Sequence, residues 1–378
     1  MTESVLVEVS GDHSRFSLKG GDPRAKDEVF GVVTKWPGWK RINVPAIIDG
    51  LRLGHYQAPV WAHTAAQLSN TTMRVQWGEG ARDVVAKAMD DLLYADRKLH
   101  EDLEEPRKHL GTERKPMRHQ AQAVAAIGYM HNRALLADDM GLGKTSTSLW
   151  AAMHCERILI LCPASVKFNW QREVKTTLDR PCYVIDGTPK KRASVFADIL
   201  HAMNYSPHDP QPAPFTVVIN YDLLIQLSDL QTDVIEGLVT GQALICDESH
   251  YLKSRDAART KWVLKHLAPA KGGATTRILC TGTPVRNLID DLYSQVEIIR
   301  PGTWTSYWDF SKRYLDIAAI SFGGPRTVQK IVGTTNLPEL NKIVNTLQIR
   351  RITDKVIDLP PKIFTYPELE LEGDHLKV

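Results

Sequence analysis

Residues 138–145 read DDMGLGKT, with the apolar run RALLA at 133–137 before them and the helix-like run STSLWAAMH at 146–154 after. A glycine-bracketed loop between a strand and a helix turns backbone N–H groups and the helix N-terminus toward an anion. In that setting Lys144 reaches β- and γ-phosphates and Thr145 holds Mg2+, while Asp138, Asp139, Met140, Gly141, Leu142 and Gly143 form the cradle. One position departs from the general pattern G-x-x-x-x-G-K-[ST], because Asp138 stands where the pattern has glycine. GLGKT alone also suits an ordinary strand–turn–helix.

The second half of the site is the run ALIC at 243–246, which ends in DESH at 247–250. Paired acids at the C-terminal end of a buried strand suit Mg2+ coordination by Asp247, through water, and orientation or deprotonation of an attacking water by Glu248. A solvated acidic turn is the bland reading of DESH, and it weakens once both motifs are taken together.

The chain has 378 residues, enough for one large α/β domain and a smaller one. With 43% hydrophobic and 24% charged residues it has the composition of an ordinary soluble protein. A formal net charge of +3 neither demands nor excludes nucleic acid, so local placement of cations must decide. Cys155, Cys162, Cys182, Cys246 and Cys280 form no C-x-x-C pair and read as small core residues in a reducing compartment. The first residues lack the apolar segment of a signal peptide, and nowhere do eighteen apolar residues run together. The expected location is the cytoplasm, or wherever DNA is kept, with no membrane partner and no secretion.

Residues 1 to about 80 differ from the rest, with short β-like pieces, glycine turns and Trp36, Trp39, Trp61 and Trp77. The segment KWPGWKR at 35–41 interleaves cations with aromatics, which suits base stacking and phosphate contact. A small tryptophan core explains it equally well. Val85, Ala88, Leu92, Ala95, Leu99 and Leu103 recur at spacings of three and four and predict a helix, and 106–116 reads as a linker. From Met117 onward strands at 133–137, 157–162, 182–186, 215–220, 242–246 and 277–280 alternate with helices near 118–130, 145–155, 166–177, 188–203, 222–237 and 255–267. Such βα units predict a mainly parallel sheet covered on both faces, with ligands at the C-terminal strand ends.

Six segments follow one another in a fixed order. MRHQ at 117–120 looks like a glutamine motif, DDMGLGKT is motif I, and CPAS at 162–165 with Asn169 and Trp170 is motif Ia. INYD at 219–222 looks like motif Ib, DESH motif II, and TGTPVRN at 281–287 motif III. Together they resemble the SWI/SNF family of superfamily-two helicase-like ATPases, closest to its HARP-type annealing-helicase branch, where DESH followed by YLK, here 251–253, is usual. Downstream, DLY at 291–293, RPG at 300–302, residues 310–314, Arg350 with Arg351, and LPPK at 359–362 fit the same family.

This resemblance implies a DNA-dependent ATPase that uses ATP and Mg2+ and translocates on double-stranded DNA. Gln120 would read the adenine, Lys144 and Thr145 would take phosphates and Mg2+, and Asp247 and Glu248 would act as above. His250 and Thr281, Gly282 and Thr283 would couple the nucleotide site to DNA, although each also suits a satisfied polar group of the core. Ser165, Lys167, Asn220 and Thr283 would touch one DNA backbone, a salt-sensitive and sequence-independent contact. Residues 36–44 bear a weaker resemblance to the accessory domain by which annealing helicases engage branched DNA.

The expected fold is α/β: a RecA-like P-loop lobe with a mainly parallel sheet at 109–300, after a small α+β N-terminal domain at 1–108 that would engage DNA. A family-specific helical extension at 301–378 would lead to a second RecA-like lobe. That lobe, whose arginines complete phosphoryl transfer, is expected in trans or removed by truncation. Two other readings stay open. The chain could be a nucleotide-switched DNA- or partner-binding module with little ATPase of its own, or the motor of a restriction-type complex, though 1–110 shows no nuclease-like acidic cluster.

Overall fold

The computed structural model describes residues 4–9, 15–20, 40–41, 47–48, 51–52, 55–59, 74–100, 114–203, 213–269, 272–283, 289–321 and 327–356. The basic-aromatic turn at 35–41 lies outside these except for its last two residues, as do motif III beyond Thr283 and LPPK at 359–362.

Seven short strands come first: β1 (Ser4–Val9), β2 (Arg15–Gly20), β3 (Lys40–Arg41), β4 (Ile47–Ile48), β5 (Leu51–Arg52), β6 (His55–Pro59) and β7 (Arg74–Trp77). Five form a sheet in the order β3-β6-β2-β1-β7, antiparallel except for the β1–β7 pair, and β4 pairs with β5. Helix α1 (Ala81–His100) carries Ala81, Val85 and Ala95 on its buried stripe. It packs on α2 (Arg118–Tyr129), where Ala95 joins Ala123, Ala126 and Ile127 and Tyr94 stacks on Tyr129 at 5.5 Å. A helix expected in a separate N-terminal domain is therefore part of the packing of the following lobe.

That lobe runs β8 (Arg133–Leu136), α3 (Lys144–Ala151), β9 (Arg157–Cys162), α4 (Lys167–Leu178), β10 (Cys182–Val184), α5 (Pro189–Met203) and β11 (Phe215–Asn220). It continues through α6 (Tyr221–Leu224), α7 (Asp229–Val239), β12 (Ala243–Cys246), α8 (Ala258–His266), β13 (Thr276–Cys280) and α9 (Asp291–Ile299). The expected single helix over 222–237 is two, because Ser228 caps a new start: its hydroxyl accepts from the Gln231 N–H and the Gln231 amide oxygen accepts from the Ser228 N–H.

One seven-stranded sheet results, in the order β10-β11-β9-β12-β13-β8-β16, where β16 is Gln348–Ile349, and every neighbouring pair is parallel. Strands buried on both faces must be apolar on both, and alternate residues divide between two cores. Leu135, Leu159, Leu161, Leu244 and Leu279 face one, while Ala134, Leu136, Ile158, Ile160, Ile245 and Ile278 face the other. Between β8 and β9 the chain passes over β12 and β13, so a crevice opens at the C-terminal ends of these central strands.

The segment after residue 300 is not the expected helical extension. It contains α10 (Tyr307–Tyr314), an antiparallel hairpin of β14 (Leu315–Ser321) and β15 (Thr327–Thr334), and α11 (Leu337–Asn345) before β16. Clustered β-branched residues, Ile317, Ile320, Thr327, Val328, Ile331 and Val332, favour the hairpin. β16 then returns the chain to the free edge of β8, with the Leu135 N–H donating to Leu347 O at 2.8 Å and the Ala137 N–H to Ile349 O at 2.7 Å.

Candidate functional site

The loop after β8 turns on two glycines with left-handed backbone, Gly141 at φ 86° and Gly143 at φ 75°. A Cβ on Gly143 would stand 2.2 Å from the Gln120 side-chain nitrogen, so that flexible amide would have to shift, and the left-handed backbone is the stronger demand for glycine there. Lys144 opens α3, and its ammonium donates to the carbonyls of Asp138 at 2.8 Å and Asp139 at 3.1 Å. Thr145 is half-buried in the first helical turn, and Met140 is exposed.

Helix α2 supports this loop from behind. The His119 ring nitrogen Nε2 lies 3.0 Å from Leu142 O, and since a carbonyl only accepts, Nε2 carries the proton. Burial lowers the pKa of this imidazole, which favours that neutral form. Gln120, expected to read adenine, accepts from the Met117 N–H at 2.9 Å and donates to Leu142 and Gly143 carbonyls at 3.4 Å. Its amide is engaged with the loop and with its own helix start.

Two strands away, β12 delivers Asp247 and Glu248 to the same crevice. The Trp170 indole N–H donates to Asp247 Oδ2 at 2.8 Å, the Glu248 N–H donates to Oδ1 at 3.0 Å, and the Tyr221 hydroxyl donates to the Asp247 carbonyl at 2.5 Å. Burial pushes the Asp247 carboxyl up, the Trp170 hydrogen bond pulls it back, Glu248 pushes it up again and Lys144 pulls it down. Glu248 itself sits at φ 48°, a left-handed conformation costly for a non-glycine residue and common where a side chain must be aimed. Its Oε2 lies 3.0 Å from His250 Nδ1, an ion-pair distance at an angle that makes no hydrogen bond.

Each carboxylate oxygen of Asp247 accepts one N–H and keeps a second lone pair, which fits Mg2+ held through water. The donors for phosphate are also at hand: the Lys144 ammonium, the Thr145 hydroxyl and the backbone of residues 141–145. From β13, Gly282 reaches this group, its Cβ position lying 3.9 Å from Lys144 Nζ.

The other expected site residues divide between surface and interior. Thr281 is buried and its hydroxyl accepts from the Thr283 N–H at 3.1 Å, while Thr283 and Ser165 are exposed. Lys167, expected on DNA phosphate, is 4% exposed, and its ammonium donates to Asp186 Oδ1 at 2.5 Å and to Asn220 Oδ1 at 3.0 Å. The Lys167 ammonium is thus turned to these partners, and the Asn220 amide oxygen is engaged with it. Trp170, Tyr221, His119 and Arg351 stand in the quoted motifs but had no assigned roles, and all four hold the site. The signal for Arg351 was Asp138 itself, an acid in a glycine's place, which needs a nearby cation.

A family model described as the SNF2-related domain matches residues 72–378. The chain belongs to the SNF2-related family. It is 32% identical over 237 residues to the DNA annealing helicase and endonuclease ZRANB3 of Mus musculus, covering 61% of this chain and 20% of that protein. It is 30% identical over 266 residues to the SWI/SNF-related matrix-associated actin-dependent regulator of chromatin subfamily A-like protein 1 of Xenopus tropicalis, covering 69% and 25%. This SNF2-related chain thus spans 20–25% of the length of these curated relatives. The SWI2/SNF2 ATPase core of Sulfolobus solfataricus, solved with dsDNA, aligns over 67% of this chain and 47% of that one, with 22% identity and a TM-score of 0.49. Among the described residues, no helix is long and apolar enough to cross a membrane.

Proposed function

We propose that this SNF2-related chain is the ATP-binding and ATP-hydrolysing lobe of a motor that translocates on double-stranded DNA, for remodelling or annealing. One observation carries the reading: the Lys144 loop after β8 and the Asp247–Glu248 pair after β12 open on one crevice of one parallel sheet. The relatives named as annealing helicase and chromatin regulator support DNA as the track.

Lys144 would leave the Asp138 and Asp139 carbonyls for the phosphates, while Asp247 and Thr145 would hold Mg2+. Mg2+, when bound, supplies positive charge against the phosphate oxygens. Glu248, aimed by its left-handed backbone, would orient the attacking water, and His250 beside it would report its state to the DNA side. Arginines from a second RecA-like lobe would complete the transfer, a contribution commonly of about 10³–10⁵ in rate.

Steady-state ATPase with and without double-stranded DNA tests this, with Glu248→Gln as control. Tight ATP binding with turnover that rises only when a second lobe is added supports the reading in full. Strong DNA-stimulated turnover by this chain alone, abolished by Glu248→Gln, keeps the ATPase and removes the need for another lobe. Absence of ATP binding overturns the whole reading.

A further inference from the structure

We propose that Arg351 is a positioning residue for the phosphate loop, the group that lets an aspartate occupy the loop's first position. The Asp138 carboxylate is 1% exposed and lies in the shell of the nucleotide loop. Left ionised and unpaired, it would oppose both its own burial and the approach of a polyphosphate. Arg351 meets it with a fork: Nε donates to Oδ1 at 3.1 Å and Nη2 to Oδ2, while the Arg351 backbone N–H adds a third bond to Oδ1 at 2.9 Å. Nη1 donates to the His119 carbonyl, tying the start of α2 into the same node.

Two further bonds tie the two chain segments together. The Asp139 N–H donates to Arg351 O at 3.0 Å, and the Thr353 N–H donates to Asp139 Oδ2 at 3.1 Å. Lys144 holds the carbonyls of the same two aspartates. Residues 138 and 139 therefore stand between the phosphate lysine on one side and residues 351–353 on the other. Because β16 pairs with β8, Arg351, two residues beyond that anchored strand, is placed to hold the Asp138 carboxylate through three N–H groups.

The assignment rests on the nucleotide reading above, and one binding experiment separates the two. Equilibrium titrations with fluorescent analogues of ATP, ADP and adenosine compare the wild type with Arg351→Gln, Asp138→Asn and the double variant. Arg351→Gln should weaken ATP about tenfold or more, ADP less and adenosine little, because the exposed carboxylate repels in proportion to phosphate charge. Asp138→Asn should weaken ATP less than Arg351→Gln does, and the double variant should recover most of the ATP affinity that Arg351→Gln loses.

A salt bridge that merely braces the fold would lose all three ligands alike, or lose ATP equally from either side, and either result overturns the proposal. So does unchanged ATP binding by Arg351→Gln. If Arg351→Gln alone shows no cooperative melt, Asp138→Asn and the double variant decide by the same criterion. A folded wild type that binds none of the three overturns the nucleotide reading, and the role of Arg351 with it.

Discussion

Trp170 shows how a side chain outside the phosphate loop shapes the chemistry. Its indole N–H restrains one oxygen of Asp247 and so fixes which lone pairs face the crevice. Trp170→Phe removes that donor together with part of a buried ring. The half-saturating Mg2+ concentration for nucleotide binding should rise about tenfold, as for other lost outer-shell partners. Stability should fall by about 1–3 kcal/mol from the unmade bond. Magnesium titrations and thermal melts would check both, and an unchanged Mg2+ requirement would show that the indole serves packing alone. Lys144, Asp247 and Glu248 were legible because their chemistry sits in contiguous letters beside apolar strands. Trp170 and Arg351 were not, since their partners lie 77 and 213 residues away in the chain. For Lys167, letters cannot show that Asp186, arriving after β10, accepts from its ammonium.

At the scale of elements, α9 and the turn that follows it hold a titrating joint. Glu297 reaches past the helix end to accept the Gly302 N–H at 3.0 Å and the Trp304 N–H at 3.3 Å, fixing the turn that seats Trp304 in the core. Burial pushes its carboxyl up to about 7 from an ordinary 4.5, with those N–H groups pulling the other way. The folded chain therefore holds this proton more tightly than the unfolded chain. Between pH 4.5 and about 7 the unfolded state loses it first, so the site's contribution to stability falls as pH rises, by on the order of 3 kcal/mol across the window. Glu297→Gln removes that slope. Thermal melts at pH 5.5 and pH 8 should show the wild type losing ground to the variant at the higher pH, and a gap independent of pH would refute it. The central strands could be read from their apolar runs. β16 could not, because two residues carry no periodicity and their place depends on the open edge of β8.

The whole molecule closes its sheet with its far end. Every motif from Gln120 to Thr283 lies upstream of α11 and β16, so a boundary near residue 300 looks complete on paper. The packing says otherwise: Leu340, Ile343, Val344 and Leu347 are buried in one core and Ile349 in the other. Each such side chain contributes roughly 1.5–3 kcal/mol when fully buried, so together they rival the total stability of a typical domain, about 5–15 kcal/mol. Their loss would also bare the edge of β8, whose backbone now bonds to Leu347 and Ile349, and would strand the buried Asp138 carboxylate without its arginine. A chain ended at Thr335 should therefore lose its cooperative melt, or melt lower by about 10 °C or more, and gain no stabilisation from ATP. If it melted within a few degrees of the full chain and ATP still raised its midpoint, the lobe would end before α11. The closing strand would then be an accessory to the nucleotide site and not part of its foundation.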